Sequence, residues 1–244
     1  MQKSLKIATQ DGTCAATLVT PETGAKGRRG VILYMDAFGP RPALTAMAGR
    51  LAGEGYAVLV PDLFYRQAPY GPFDAKTSFG HEESRKALMG LIQGTTQAMT
   101  ARDTGAFLDA LSAVGAEGPV GVVGYCMGGG RALTAAGTYP DKVAAAASFH
   151  GGGLASDAPD SPHRLATQIR ARVYVGVAGV DNSFPPEQSA RLAQALREAE
   201  VDHLVENYVG KSHGWCVPDH GVYDEAGAER HWKRLITVFG ETLV

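Results

Sequence analysis

Short runs of consecutive apolar residues recur along the chain, and between them apolar residues are spaced three or four positions apart. The runs indicate strands covered on both faces, whereas the wider spacing indicates amphipathic helices. The predicted strands are residues 6–9, 14–20, 31–35, 57–60, 120–123, 143–149, 173–177 and 203–209. The predicted helices are residues 42–54, 81–92, 97–114, about 129–136, 185–198 and 223–242. This alternation predicts an α/β protein with one doubly wound, mostly parallel sheet and helices on both faces.

The chain contains no internal repeat and no Ser/Pro-rich linker, so residues 1–244 are predicted to form a single domain. The formal net charge of −2 and the 45% of hydrophobic residues are ordinary values, and the basic residues are not clustered. A nucleic-acid-binding surface is therefore not expected, and the predicted partner is a small molecule. The sequence leaves open whether the protein is a monomer or a small homo-oligomer.

The N-terminal residues 1–6 lack an apolar stretch long enough for a secretory signal, and no later segment is apolar enough to cross a bilayer. We therefore expect a cytoplasmic protein without a membrane partner. The three cysteines, Cys14, Cys126 and Cys216, are odd in number and lack C-x-x-C spacing, which argues against disulfides and zinc knuckles. The spacing of His213 and Cys216 would suit a metal, but two ligands without a third make a weak site, and no metal is predicted.

One cysteine lies between glycines directly after a predicted strand. Residues 120–130 read VGVVGYCMGGG, with Gly124 two positions before Cys126 and Gly128 two positions after it. In the G-x-nucleophile-x-G pattern, the central residue occupies a strained strand-to-helix turn where larger neighbours would clash. The N-terminus of the following helix also favours a thiolate over a thiol. The pattern predicts a nucleophile at Cys126; the alternative is a buried cysteine without chemical function.

Other reactive side chains follow the remaining predicted strands, at the sheet edge where open α/β sheets bind their ligands. These residues are Asp36, His150, Asp181 and His213. A nucleophilic thiol needs a base, and that base needs an acid to fix its tautomer and to stabilise its charged form. His213 lies in a loop with glycines on both sides and is predicted to be the base, with Asp181 as the acid. The order nucleophile, acid, histidine is that of the α/β-hydrolases.

Four features together resemble the dienelactone hydrolases, which are cysteine-dependent members of the α/β-hydrolase fold. They are the GYCMGG turn, the strand end with Asp181, the loop with His213 and Gly214, and the stretch PDLFYRQAP at residues 61–69. The resemblance extends from about Val31 to the end of the chain. It implies an α/β-hydrolase fold and an enzyme that hydrolyses a lactone or a carboxylic ester.

The resemblance also implies roles for individual residues. Cys126 would attack the carbonyl carbon to form an acyl-cysteine, His213 would serve as general base and acid, and Asp181 would orient His213. The backbone N–H groups of Ala37 and Met127 would form the oxyanion hole. Neither a metal nor an organic cofactor is implied.

Five residues are expected to contact the substrate: Asp36, Arg85, Tyr125, His150 and Trp215. Asp36 stands where the family has a glutamate that pairs with the resting thiol, and it is one methylene shorter. Arg85 roughly matches one of two arginines that hold the substrate carboxylate in the family, and the second has no counterpart here. His150 begins a Gly-rich turn expected at the pocket wall. Trp215 would stack on the substrate or cover the sheet edge, and Tyr125 would lie beside the nucleophile.

Other functions compete with lactone hydrolysis. A thioesterase or a general carboxylesterase would use the same three residues. A ligand-binding protein without turnover, or a redox sensor using Cys126, would need neither a histidine nor an acid at matching strand ends. The loop at residues 62–80 is predicted to be functional, because loops of this length are seldom incidental.

Overall fold

Eight strands hydrogen-bond into one sheet in the computed structural model, which describes residues 1–244. The strands are β1 Gln2–Thr9, β2 Gly12–Val19, β3 Gly30–Tyr34, β4 Ala57–Pro61, β5 Val120–Tyr125, β6 Val143–Phe149, β7 Arg172–Val180 and β8 His203–Ser212. Their order across the sheet is β1-β2-β4-β3-β5-β6-β7-β8. β2 is antiparallel to both of its neighbours, and all other neighbouring strands are parallel. The prediction of a mostly parallel sheet is confirmed.

Six α-helices cover the two faces of the sheet. They are α1 Pro42–Gly53, α2 Glu82–Gln93, α3 Gln97–Ala113, α4 Met127–Thr138, α5 Pro186–Glu198 and α6 Glu225–Thr242. On one face α1 and α6 are joined by an ion pair between Arg50 and Glu229. On the other face α3 packs against α4, and the segment Pro162–Gln168 lies between α4 and α5. The central strands β3, β4 and β5 are completely buried because helices cover both of their faces, which explains their unbroken apolar runs.

The strands β7 and β8 extend beyond their predicted ends, to Val180 and to Ser212. The apolar runs end earlier because the last residues of these two strands are partly or fully exposed. Val180 is paired with Ser212 across the two strands. The residues that follow, Asp181 and His213, therefore leave the sheet side by side.

The loop at residues 62–80 contains two short 3₁₀ turns, Tyr65–Gln67 and Ser78–Gly80. Arg66 anchors its first half by donating two hydrogen bonds of 2.8 Å to the carboxylate of Asp103 in α3. The second half lies over the carboxyl ends of the parallel strands, where it contributes to the site described next.

Candidate active site

The backbone at Cys126 has φ 56° and ψ −120°, between the end of β5 and the start of α4. Such a conformation is unfavourable for a residue other than glycine and persists only where the surroundings impose it. A Cβ atom on Gly124 would lie 1.8 Å from the carbonyl oxygen of Gly128. A Cβ atom on Gly128 would lie 2.5 Å from the carbonyl oxygens of both Tyr34 and Met35. The two glycines are therefore required by the close approach of β5, the turn and β3.

His213 and Asp181 form a hydrogen-bonded pair beside this turn. The Nδ1 atom of His213 donates to the Oδ2 atom of Asp181 over 2.7 Å. The other carboxylate oxygen accepts hydrogen bonds from the backbone N–H and the hydroxyl of Ser183, at 2.8 and 2.6 Å. The side chain of Asp181 is only 3% exposed. Both carboxylate oxygens are thus held in place, and the imidazole keeps its Nε2 atom free.

The charges of this group favour a protonated imidazole. Burial lowers the pKa of His213, but the charge of a nearby Cys126 thiolate and the hydrogen bond to Asp181 raise it to about 10. Burial raises the pKa of Asp181, and the hydrogen bond and charge of His213 outweigh this effect and hold that pKa below its ordinary value. The carboxylate of Asp181, together with a thiolate at Cys126, therefore favours the protonated form of the imidazole.

A cavity of about 580 Å³ opens over Cys126 and His213. This volume is typical of a site for a small molecule. The apolar part of its wall consists of Phe38, Ala75, Phe79, Ile92, Met127 and Val222. The polar part includes Lys76, Asn182, Ser183 and His220. The loop at residues 62–80 supplies both Lys76 and Phe79.

None of the five residues predicted to contact the substrate lines this cavity. Tyr125 and Trp215 are fully buried, and the hydroxyl of Tyr125 is hydrogen-bonded at 2.9 Å to the Nε2 atom of His231 in α6. Arg85 is exposed on α2. The structure corrects the prediction of substrate contact for these three residues, and of the two alternatives for Trp215 only that of covering the sheet edge is left. A position beside a motif does not determine the direction in which a side chain points.

Asp36 is bound to Arg41 and His220 instead of pairing with the thiol. Its two carboxylate oxygens accept hydrogen bonds from Arg41 at 2.7 and 2.8 Å, and one of them accepts from the Nε2 atom of His220 at 3.0 Å. The same guanidinium also binds the carboxylate of Asp219. Burial raises the pKa of Asp36, but its hydrogen bonds with His220 and Arg41 hold that pKa below its ordinary value. The structure thus corrects the prediction that Asp36 contacts the substrate.

His150 also lies outside the cavity wall, because its ring is buried directly beneath the turn at Cys126.

The two backbone N–H groups predicted to form an oxyanion hole donate no hydrogen bond to any other atom of the protein. The N–H of Ala37 donates no hydrogen bond within the protein, and that of Met127, the first residue of α4, has no acceptor within the helix.

The sequence did not single out Lys76 or His220 as site residues. Lys76 lies in the loop that was predicted to be functional, so its segment was identified but not its side chain. His220 follows no strand end and belongs to no motif, and its hydrogen bond to Asp36 and its packing against Phe38 place it at the cavity. No cluster of three or more His, Cys, Asp or Glu side chains is arranged to hold a metal ion. None of the helices has the length and apolar character needed to cross a membrane.

The chain is similar to known proteins over most of its length. The family model described as the dienelactone hydrolase family matches residues 14–243. The chain belongs to the dienelactone hydrolase family. A Synechocystis protein provisionally named carboxymethylenebutenolidase is 30% identical over 215 residues, which cover 86% of this chain and 84% of that protein. The protein described here is therefore a hydrolase of the dienelactone hydrolase class.

Solved structures of the family share the fold. A provisionally named dienelactone hydrolase from Klebsiella pneumoniae superposes with a TM-score of 0.87 at 22% identity, covering 98% of each chain. A dienelactone hydrolase-like promiscuous phosphotriesterase from metagenomic libraries superposes with a TM-score of 0.80 at 28% identity, covering 99% of this chain and 98% of the other. The chain thus has the α/β-hydrolase fold of its family.

Proposed function

We propose that this enzyme hydrolyses a lactone or a carboxylic ester through a covalent acyl-cysteine on Cys126. The observation that supports this proposal most directly is the His213–Asp181 pair, which leaves the adjacent ends of β7 and β8 and borders the same cavity as the strained turn of Cys126. Three groups from three strand ends meet there, as nucleophilic catalysis requires.

The first half of the reaction is acylation. The thiolate of Cys126 forms a bond to the carbonyl carbon, and the carbonyl π electrons move to the oxygen, which the amides of Ala37 and Met127 stabilise. When the tetrahedral intermediate collapses, the carbon–oxygen bond to the leaving group breaks. The protonated His213 gives its Nε2 proton to the departing oxygen, while Asp181 keeps the ring oriented.

The second half is deacylation. His213 is now neutral, so its Nε2 atom accepts a proton from a water molecule that attacks the acyl-cysteine carbonyl. The carbon–sulfur bond breaks, the acid product leaves, and the thiolate–imidazolium pair is restored. For a lactone, acid and alcohol remain in one molecule, so a single hydroxy acid is released.

The substrate is expected to be largely apolar and to carry one negative group. The cavity wall is mostly apolar, and Lys76 is its one permanent cation. Lys211 is the only lysine that forms an ion pair, so the ammonium group of Lys76 has no carboxylate partner in the protein. The name carboxymethylenebutenolidase of the Synechocystis relative denotes a lactone with a carboxymethylene group. A carboxylate beside the lactone ring would pair with Lys76.

Replacing Lys76 by methionine tests this pairing. Lys76→Met is expected to raise KM for carboxylate-bearing lactones about fivefold with kcat unchanged, since an exposed ion pair contributes up to about 1 kcal/mol. KM for neutral aryl esters should stay the same. The matched control is Lys86→Met, on the exposed surface of α2 and outside the cavity. Equal increases in KM for charged and neutral substrates would contradict a charge-specific role.

The acid is tested by Asp181→Asn. This variant is expected to lower kcat by about a thousandfold with little change in KM, because the orientation and charge of the imidazole matter in the transition state. The carboxylate raises the pKa of His213, so its loss should move the alkaline limb of kcat/KM to lower pH. Steady-state kinetics from pH 5 to 11 measure both effects.

Asp157→Asn serves as the control for the acid, because Asp157 is exposed and pairs with Arg191 on α5. If Asp181→Asn retained full activity while the control lost it, the acid would be misassigned.

The reaction class is decided by turnover of purified protein on lactones, aryl esters, acyl thioesters and phosphotriesters. The last group is included because the metagenomic relative is named a promiscuous phosphotriesterase. We expect the highest kcat/KM on lactones or aryl esters. Highest values on acyl thioesters would favour a thioesterase, and no turnover on any substrate would support a ligand-binding or redox-sensing protein.

A further inference from the structure

His150 makes a direct hydrogen bond to the backbone of the proposed nucleophile. Its Nδ1 atom accepts the N–H of Cys126 over 3.1 Å, and the carbonyl oxygen of Phe149 shares the same N–H at 3.2 Å. The residue as a whole is 1% exposed. Because Nδ1 accepts a hydrogen bond, the ring proton must be on Nε2 and the imidazole must be neutral.

Two features of His150 are unfavourable for a residue that only fills space. Its backbone has φ 40°, a conformation normally left to glycine or asparagine. Its Nε2 atom is buried without a hydrogen-bond partner. Outliers of this kind persist where a functional constraint holds them, and the bond from the Cys126 N–H is the constraint that the structure provides.

The ring of His150 lies near two imidazoles that face the cavity. Its centroid is 4.8 Å from that of His213 and 6.3 Å from that of His220. Burial, followed by the repulsion from a protonated His213, holds the pKa of His150 well below its ordinary value. The ring of His150 therefore stays uncharged when His213 is an imidazolium.

We propose that His150 is a positioning residue, which holds the turn at Cys126 through its unprotonated Nδ1 atom and keeps the space beneath the thiolate–imidazolium pair free of charge. The hydrogen bond holds the Cys126 N–H on the His150 side of the turn. The conformation fixed in this way directs the thiol towards His213 and leaves the N–H of Met127 open. The effect of His150 on kcat rests on the proposed function, whereas its effect on the reactivity of the Cys126 thiol does not.

The proposal is tested with a matched pair of variants. In His150→Asn the side-chain oxygen occupies the position of Nδ1 relative to Cβ, and asparagine tolerates positive φ. In His150→Leu a carbon atom takes that position. We expect His150→Asn to keep kcat and the rate of Cys126 alkylation within about threefold of the parent values. We expect His150→Leu to lower both about tenfold or more, as loss of a hydrogen bond to a reacting residue predicts, with KM nearly unchanged.

Alkylation by iodoacetamide from pH 5 to 10 provides a readout that a merely structural residue would not move. Cys14 and Cys216 are buried, so Cys126 is expected to react first. Mass spectrometry identifies the labelled peptide and separates its rate from those of the other two cysteines. We expect the alkylation midpoint to shift in His150→Leu and to stay in place in His150→Asn. Should the leucine variant fail to fold, His150→Gly replaces it, because glycine relieves the positive φ while still removing the acceptor.

Equal losses in the asparagine variant and in the variants without an acceptor would overturn the proposal, and so would parent rates in His150→Leu or His150→Gly. Failure of the proposed function would look different. Cys126→Ala would then keep its ester hydrolysis. The His150 variants, which all retain Cys126, would still differ from the parent enzyme in the rate of Cys126 alkylation.

Discussion

Cys126→Ala is expected to abolish ester hydrolysis, with kcat lowered by more than about a thousandfold, because removing a nucleophile costs about as much as removing its whole catalytic group. The only hydroxyl group of the cavity wall belongs to Ser183, and it donates to Asp181 at 2.6 Å. No side chain there is placed to replace the thiolate. Initial rates on an aryl ester measure the loss, and mass spectrometry of the rapidly quenched parent enzyme should find the acyl group on the peptide that contains Cys126.

The controls are the two other cysteines. Cys14 is buried on β2 and Cys216 is buried beside Trp215, and neither lines the cavity. Cys14→Ala and Cys216→Ala should retain most of kcat. If Cys126→Ala hydrolysed the ester at a rate comparable to the parent while Cys216→Ala did not, the nucleophile would have to be reassigned.

Arg41→Met is expected to cause the largest loss of stability, about 3 kcal/mol in the free energy of unfolding, because removing one partner leaves a buried carboxylate without its main counter-charge. This value lies at the low end of the range of about 3–5 kcal/mol for breaking a buried ion pair. The loss is limited because His220 and the N–H of Phe38 still donate to Asp36, at 3.0 Å each. Urea unfolding at pH 7 measures the loss. The double variant Asp36→Asn with Arg41→Met should recover part of it, because no buried charge then remains unpaired.

The same loss should depend on pH. The pKa of Asp36 is depressed in the folded protein, so its contribution to stability is fully present above its unfolded pKa, about 4, and is lost as the pH falls through the folded value. The difference between Arg41→Met and the parent should therefore shrink in acid. The control is Arg170→Met, whose pair with Asp141 is largely exposed and is expected to contribute about 1 kcal/mol or less. Equal losses in both variants would contradict a special role for the buried pair.

The sequence alone determined the strands of the sheet, the turn around Cys126 and the placement of Asp181 and His213 after the last two strands, although both strands extend three residues beyond their predicted ends. Each of these depends on local chemistry. Apolar runs form strands wherever helices cover both faces, and the turn needs glycine at two fixed positions because carbonyl oxygens approach within 2.5 Å of where a Cβ would be. Parallel strands then bring their carboxyl ends to one edge of the sheet without further information.

Only the tertiary structure decided which side chains face the cavity and which partners the buried ones find. Asp36 follows a strand end, as expected, yet its partners Arg41 and His220 come from a neighbouring loop and from a segment more than 170 positions away. His150 turns beneath Cys126 because its backbone adopts a positive φ, which no residue pattern indicated. Side-chain directions at the ends of strands depend on packing between distant segments, and periodicity along the chain carries no information about that packing.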